Sequence, residues 1–281
     1  MGVQCQSPQA NAGPDDTGAL LRWDLEPWDV ELAAPLLAQH LSMPELEVRQ
    51  WVGAPRGILC RQKPLAALHA AASALAEQGL RAFVVPTPNL VRLPKPVRVG
   101  AQANWDQESL RPDLLGEEVA LPWTAVAAAN VGYVLDKSMG RRPSRGYGTR
   151  KIAETLKMDA VAQGGLSLQA EAPVRWALPD EWLIMDLVSV YPTRRLRLDD
   201  HTSFARLLGE AATPRFQENM RRVYATFAWL SRHARLALPA EAVGRGESWP
   251  PPAFRTDEHW DARLEWMANW ALHAPRPPGP A

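Results

Sequence analysis

The 281-residue chain has little cysteine and no excess charge of either sign. Its two cysteines, Cys5 and Cys60, are too few for a disulfide-rich scaffold or a zinc site built from four thiolates. Basic and acidic residues number 31 each, so the chain lacks the overall positive charge of non-specific nucleic-acid binders. Hydrophobic residues make up 46% of the sequence, which is enough for a buried core and argues against a disordered acidic protein.

Long hydrophobic runs are also missing. The longest stretch without a charged residue is 119–135, which contains a proline and is shorter than the ~20 residues of a membrane-spanning helix. Residues 1–20 contain neither the basic start nor the apolar segment of a secretory signal. We therefore expect a cytoplasmic protein with no membrane span.

The first 90 residues alternate short apolar strands with helical patterns. The predicted strands are 21–25, 57–60 and 80–85, and the predicted helices are 31–41, 42–53 and 64–78. Ser42 and Glu45 have the spacing of a capping box at the start of the second helix, in which Leu46 would be buried. Gly79 is placed to end the third helix. The predicted order is β-α-α-β-α-β.

This order resembles the C-terminal domain of the bacterial ribosomal stalk protein. The residues that carry the resemblance are Trp51–Pro55, the long helix from Pro64, and Glu77–Val85, where a helix end, a glycine and a final strand follow one another. The resemblance implies the fold alone. In that family lysine-rich helices bind translation factors, whereas the corresponding helices here carry Glu45 and Glu47 and no lysine.

Beyond a proline-punctuated connector at 88–96, apolar residues recur with period two. The predicted strands are 97–101, 119–123, 125–134, 182–190 and 195–199. A helix with Thr213 as its cap and Pro214 as its first residue then carries one apolar stripe to Leu230. An antiparallel meander closed by one amphipathic helix resembles the pleckstrin-homology-like superfold, a likeness of architecture that implies no function.

The sequence thus predicts an α+β protein with two domains. A disordered lead-in, 1–18, precedes a small β-α-α-β-α-β domain, 19–87. The meander and its helix form a domain over 97–240, which contains a basic insertion at 137–176. A proline-rich tail, 241–281, contains a terminal helix at 257–273.

The basic insertion is the first candidate site. Between residues 137 and 157, seven positive charges accompany one negative charge. The residues predicted to bind an anion are Lys137, Arg141, Arg142, Arg145, Arg150 and Lys151. Such a loop can bind phosphate, nucleic acid or an acidic protein surface. The alternative is a solvated loop.

The terminal helix is the second candidate site. Trp260 and Leu264 lie on one stripe, and Trp266 and Trp270 form another. A helix with a single packing surface needs only one stripe, so we predict that these four residues form an interface with another protein chain. Packing of both stripes within this chain is the alternative.

The other polar residues form no recognisable catalytic, metal or cofactor site. Three consecutive residues, 199–201, cannot face one ion and are interpreted as a polar turn. Arg195 and Arg197 share one strand face, which we interpret as solvated. Cys60 is expected to be a buried, inert thiol.

The sequence therefore favours a non-catalytic protein-interaction or adaptor protein whose partner is another protein chain, a second copy or a different protein, with no cofactor. The alternative is anion or nucleic-acid binding through the loop 137–157. A third hypothesis is an enzyme whose site is assembled from scattered residues.

Overall fold

The computed structural model describes residues 16–24, 26, 28–53, 57–114, 119–135, 182–231, 233–238, 243, 251–254 and 256–275. The chain divides into two compact units, one of residues 1–90 and 273–281 and the other of residues 91–272. The class is α+β, with helices and sheets in both units.

The first unit has the predicted order β-α-α-β-α-β. Its elements are β1 (Thr17–Arg22), α1 (Val30–Leu41), α2 (Glu45–Gly53), β2 (Ile58–Pro64), α3 (Leu65–Glu77) and β3 (Ala82–Pro86). The central strand β1 pairs antiparallel with both β2 and β3. Leu20 of β1 packs with Leu37 of α1 and Leu68 of α3 in a core from which water is excluded.

The end of α3 is confirmed. Gly79 has a φ of +76°, in the region that a residue with a Cβ adopts at a cost. The Gly79 amide donates to Ala76 O and the Leu80 amide to Leu75 O, which is the Schellman pattern of a helix C-terminus.

Three local predictions in this unit are wrong. Ser42 is the left-handed C-cap of α1, so it does not form a capping box with Glu45. Leu46 is exposed, because Val48 and Val52 occupy the buried side of α2. The strand β1 begins at Thr17, inside the predicted lead-in.

The second unit contains a mixed sheet and a small antiparallel sheet. The strands are β4 (Val97–Arg98), β5 (Asn104–Trp105), β6 (Ser109–Arg111), β7 (Leu121–Pro122), β8 (Val126–Val134), β9 (Leu183–Val190), β10 (Thr193–Leu198), β11 (Arg235–Leu236) and β12 (Ala253–Phe254). In the larger sheet, β8, β9 and β10 form the predicted antiparallel meander. Its edges are parallel instead, because β4 pairs with β10 while β11 and β12 pair with β8. The strands β5, β6 and β7 form the small sheet.

Helices cover both faces of the meander. They are α4 (Phe204–Leu208), α5 (Phe216–Leu230) and α6 (Asp257–His273), the last with the predicted bounds. The apolar stripe of α5 packs with the alternate side chains Met185 and Leu187 of β9. The helix begins at Phe216, with Arg215 at the N-cap position, and not at Pro214 as predicted. On the opposite face, Trp260 of α6 packs against Ile184 of β9.

Candidate functional site

A buried carboxylate lies at the centre of the β9–β10 hairpin. Asp186 is the cross-strand neighbour of Arg197, and Arg195 lies on the same face of β10. Arg197 donates to Oδ1 of Asp186 from Nε and to Oδ2 from Nη2, both at 2.8 Å. Arg195 donates to Oδ2 from Nε at 2.9 Å and from Nη2 at 2.7 Å. The predicted solvated face is therefore wrong, because both guanidiniums are buried and share one carboxylate.

Further carboxylates lie near this cluster. Arg195 also donates from Nη2 to Oδ1 of Asp261 at 2.6 Å, and the charges of Asp257 and Asp261 favour the charged form of Arg197, so two cations lie among three carboxylates. Burial disfavours the charged form of Asp186, but the hydrogen bonds and charges supplied by Arg197 and Arg195 outweigh it and hold the pKa of that carboxyl below its usual value. Asp186 is therefore ionised at neutral pH, with its lone pairs occupied.

The helix α6 closes the cluster. Nε1 of Trp260 donates to Oδ2 of Asp186 at 2.7 Å. The indole packs edge to face on Phe254 of β12, with ring centres 5.0 Å apart. The strand β12 approaches this closely because residue 132 is glycine: a Cβ there would lie 2.7 Å from the Pro252 carbonyl oxygen. Gly132 thus allows β12 to pair with β8 and to hold Trp260 in place.

An asparagine side chain also lies next to Asp186. Asn130 on β8 is the cross-strand neighbour of Asp186, so both side chains are on the face covered by α6. Asn130 is fully buried, and within the described part of the chain neither its Oδ1 nor its Nδ2 has a hydrogen-bond partner. Since buried polar atoms are nearly always paired, Asn130 is a candidate ligand-binding group.

Two further guanidiniums lie against the tryptophans of α6. The Cζ of Arg235, on β11, is 4.1 Å from the ring centre of Trp270 and 5.6 Å from that of Trp266. The Cζ of Arg263, on α6, is 5.5 Å from the Trp266 ring centre. These separations allow cation–π attraction. Burial, and then the charge of Arg235, lower the pKa of Arg263 to about 10, so it remains charged at neutral pH.

The structure places the predicted interface residues inside their own unit. Trp260, Leu264 and Trp266 are buried, and Trp270 is half-buried against Arg235. Both tryptophan stripes are used within the chain, which is the alternative that the sequence left open. The first three side chains are therefore not available to a partner, and the interface prediction is corrected for them.

The predicted anion-binding residues lie outside the described residues. They are Lys137, Arg141, Arg142, Arg145, Arg150 and Lys151. The whole insertion, 137–176, lies there as well.

The predicted polar turn at 199–201 and Cys60 lie among the described residues. The polar turn is confirmed: the Thr202 amide donates to Asp199 O, and the His201 amide donates to Oδ1 of Asp199. Cys60 is buried, and burial raises the pKa of its thiol to about 11, so it is protonated and unreactive at neutral pH. Across the described ranges, no group of three or more His, Cys, Asp or Glu side chains is placed to hold a metal ion.

Sequence reasoning missed Asp186 and the pair Arg235 and Arg263. A signal for the first was present: Asp186 is the one charged residue in the apolar run 183–190. A buried charge requires a partner, and the hairpin places Arg197 of β10 opposite Asp186 and Arg195 on the same face of β10. For Arg235 and Arg263 no comparable signal exists, because they are brought together by pairing of short strands.

No protein-family model, curated protein or solved structure matches this chain. The two fold resemblances drawn from the sequence stay predictions. Among the helices that the structure describes, none has the length and apolar character required to cross a membrane.

Proposed function

We propose that the protein is a non-catalytic adaptor that binds another protein chain through the α1–α2 face of its first unit. The observation that carries this proposal is the exposure of two leucines on these packed helices. Leu46 of α2 is 72% exposed and Leu32 of α1 is 37% exposed. Exposed leucines are common singly, so the proposal depends on what surrounds them.

The surroundings are rigid. Arg49 of α2 donates from Nε to Oε1 of Glu45 at 2.9 Å and from Nη2 to Oε2 of Glu31 on α1 at 2.7 Å. Leu46 and Leu32 follow these two carboxylates directly in sequence. Because the helices are joined by this bridge and by a common core, the leucines are held in place before a partner arrives, which reduces the entropy cost of binding.

The charge around the leucines indicates the kind of partner. Glu31, Glu45 and Glu47 are exposed on these helices. A complementary surface would have an apolar pocket for Leu46 within a basic rim. Such a partner is a protein and not a nucleic acid, whose phosphates these carboxylates would repel.

The polar cluster of the second unit also supports a binding role for the protein and not a catalytic one. Asp186, Arg195 and Arg197 are engaged with one another and have no free position for a substrate proton. The compartment that we propose is the cytoplasm, where an unpaired thiol such as Cys60 stays reduced.

Replacement of Leu46 by glutamate tests the proposal. The full chain is used to capture partners from an extract of its own cells, and the captured protein is then purified and titrated. We expect L46E to weaken binding by about tenfold or more, because it removes an apolar anchor and would bury a carboxylate in an apolar pocket.

The matched control is V97E, which adds the same charge at another exposed apolar residue, in the second unit. It should bind as the wild type does. Equal affinity of L46E and the wild type, or a wild-type chain that remains monomeric and captures nothing, would contradict the proposal.

A further inference from the structure

The two arginines that lie against Trp266, Arg235 of β11 and Arg263 of α6, differ from the pair around Asp186. Arg195 and Arg197 share a carboxylate, whereas Arg263 has no carboxylate partner among the residues that the structure describes, and its Nε is buried with no hydrogen bond. Arg235 lies close by, since each of the two guanidiniums is within 5.6 Å of the centre of the Trp266 ring. Two cations therefore meet at one indole, and the charge of one destabilises the charged form of the other.

The buried amide of Asn130 lies in the same region. Asn130 of β8 pairs with Asp186 of β9, and Arg235 of β11 pairs with Ala128, which is two residues from Asn130 on the same face of β8. The helix α6 runs from β9 toward β11, because Trp260 contacts Asp186 and Trp270 contacts Arg235. Asn130 on the sheet and residue 263 on the helix both lie between these two ends.

We propose that this region is a binding site for a small oxyanion, a carboxylate or phosphate group, with Arg263 and Nδ2 of Asn130 as its donors and Arg235 as the second cation. Trp266 and Trp270 form the apolar wall. The ligand is distinct from the protein partner proposed above, and the site is in the other unit.

An oxyanion accepts the hydrogen bonds that guanidinium and side-chain amide groups donate. A planar guanidinium donates two parallel hydrogen bonds to a carboxylate or phosphate, and an amide Nδ2 supplies another donor. A negative charge would also offset the repulsion between the two arginines. Arg263, Arg235 and Trp270 are each half-buried, so solvent reaches these three side chains, whereas Asn130 is fully buried.

The test is thermal unfolding of the full chain in inorganic phosphate, acetate or chloride at constant ionic strength. An oxyanion that binds the folded state raises Tm as its concentration rises. For the wild type we expect a rise of about 5 °C near saturation with phosphate or acetate and none with chloride. Comparison of phosphate with acetate shows which oxyanion the site prefers.

The variant R263M removes the guanidinium and its charge and keeps an unbranched, flexible apolar side chain. In chloride we expect its Tm to equal or exceed that of the wild type, because a half-buried cation without a carboxylate partner among the described residues has been removed. In phosphate or acetate the Tm of R263M should not rise, so the wild type should then have the higher Tm. R206Q, which removes an exposed arginine of α4, is the matched control and should respond as the wild type does.

If R263M does not fold, N130L and titration of the wild-type indole N–H resonances with phosphate provide the same test. Binding predicts saturable shifts of the Trp266 and Trp270 resonances, and these shifts should require at least tenfold more phosphate in N130L. A wild type whose Tm and resonances respond equally to chloride and to the oxyanions would overturn the proposal.

Discussion

Replacement of Asp186 by asparagine is expected to lower the free energy of unfolding by about 3–5 kcal/mol, because two buried guanidiniums would lose the carboxylate they share. An amide of the same shape cannot neutralise Arg195 and Arg197, and its Nδ2 would point a donor at donors. Chemical denaturation of the full chain measures the loss.

The loss should depend on pH in a defined direction. The pKa of Asp186 is lower in the folded chain than in the unfolded chain, so its contribution is complete above the unfolded value of about 3.9 and is lost as the pH falls toward the folded value. The difference in stability between wild type and D186N should thus be constant above about pH 5 and decrease below about pH 4.

Two variants serve as controls for D186N. D200N, at an exposed carboxylate one strand away, should change the stability by less than about 0.5 kcal/mol. The triple variant D186L/R195M/R197M should recover most of the loss, since a buried ion cluster can be replaced by apolar residues of similar volume. A D186N protein as stable as the wild type would show that the carboxylate is not paired.

Replacement of Trp260 by alanine is expected to cost about 3–5 kcal/mol, the usual range for a buried aromatic residue. The indole is fully buried, packs on Phe254 and donates to Asp186, so W260A loses both a packed ring and a hydrogen bond. W260F keeps an aromatic ring and should cost about 1–3 kcal/mol, for the smaller ring and the lost hydrogen bond to Asp186.

The matched control is W229A. Trp229 is on α5 and is 60% exposed, so its removal should cost less than about 1 kcal/mol. Thermal or chemical unfolding distinguishes the two sites. Similar losses for W229A and W260A would mean that α6 is not packed on the sheet as described.

The sequence predicts well those helices and strands whose apolar residues show a clear local pattern. The helix 257–273 has the predicted bounds, and the strand prediction 182–190 differs from β9 by one residue. The helix has repeating apolar stripes with a polar residue at each end, and the strand is a nearly continuous apolar run preceded by two acidic residues. The order of the first unit was predicted for the same reason.

The position of Arg195 and Arg197 could not be predicted from their own strand. Alternation correctly placed both on one face, but it does not show what covers that face. The cover is α6, some sixty residues later in the chain, and the acceptor is Asp186 on the preceding strand. Antiparallel sheets commonly have one solvated face, but in this protein a helix covers the face that carries Arg195 and Arg197.

Two further failures have a local cause. Ser42 and Glu45 have the spacing of a capping box, but that spacing also fits a helix end followed by a new helix start, which is what the chain forms. The strands β11 and β12 have two residues each, too few for period two to be visible. Their pairing with β8 brings Arg235 beneath Trp270 and Phe254 beside Trp260.

The central claim is that α6 is an internal element of its own unit and not a surface for another chain. Amide hydrogen exchange of residues 260–270 in the full chain, measured over a wide range of protein concentration, tests it most directly. Slow exchange at every concentration, with the amide of Asp186 equally protected, is the predicted result. Protection of α6 that develops only as the concentration rises would contradict the claim and place these tryptophans at an interface between molecules.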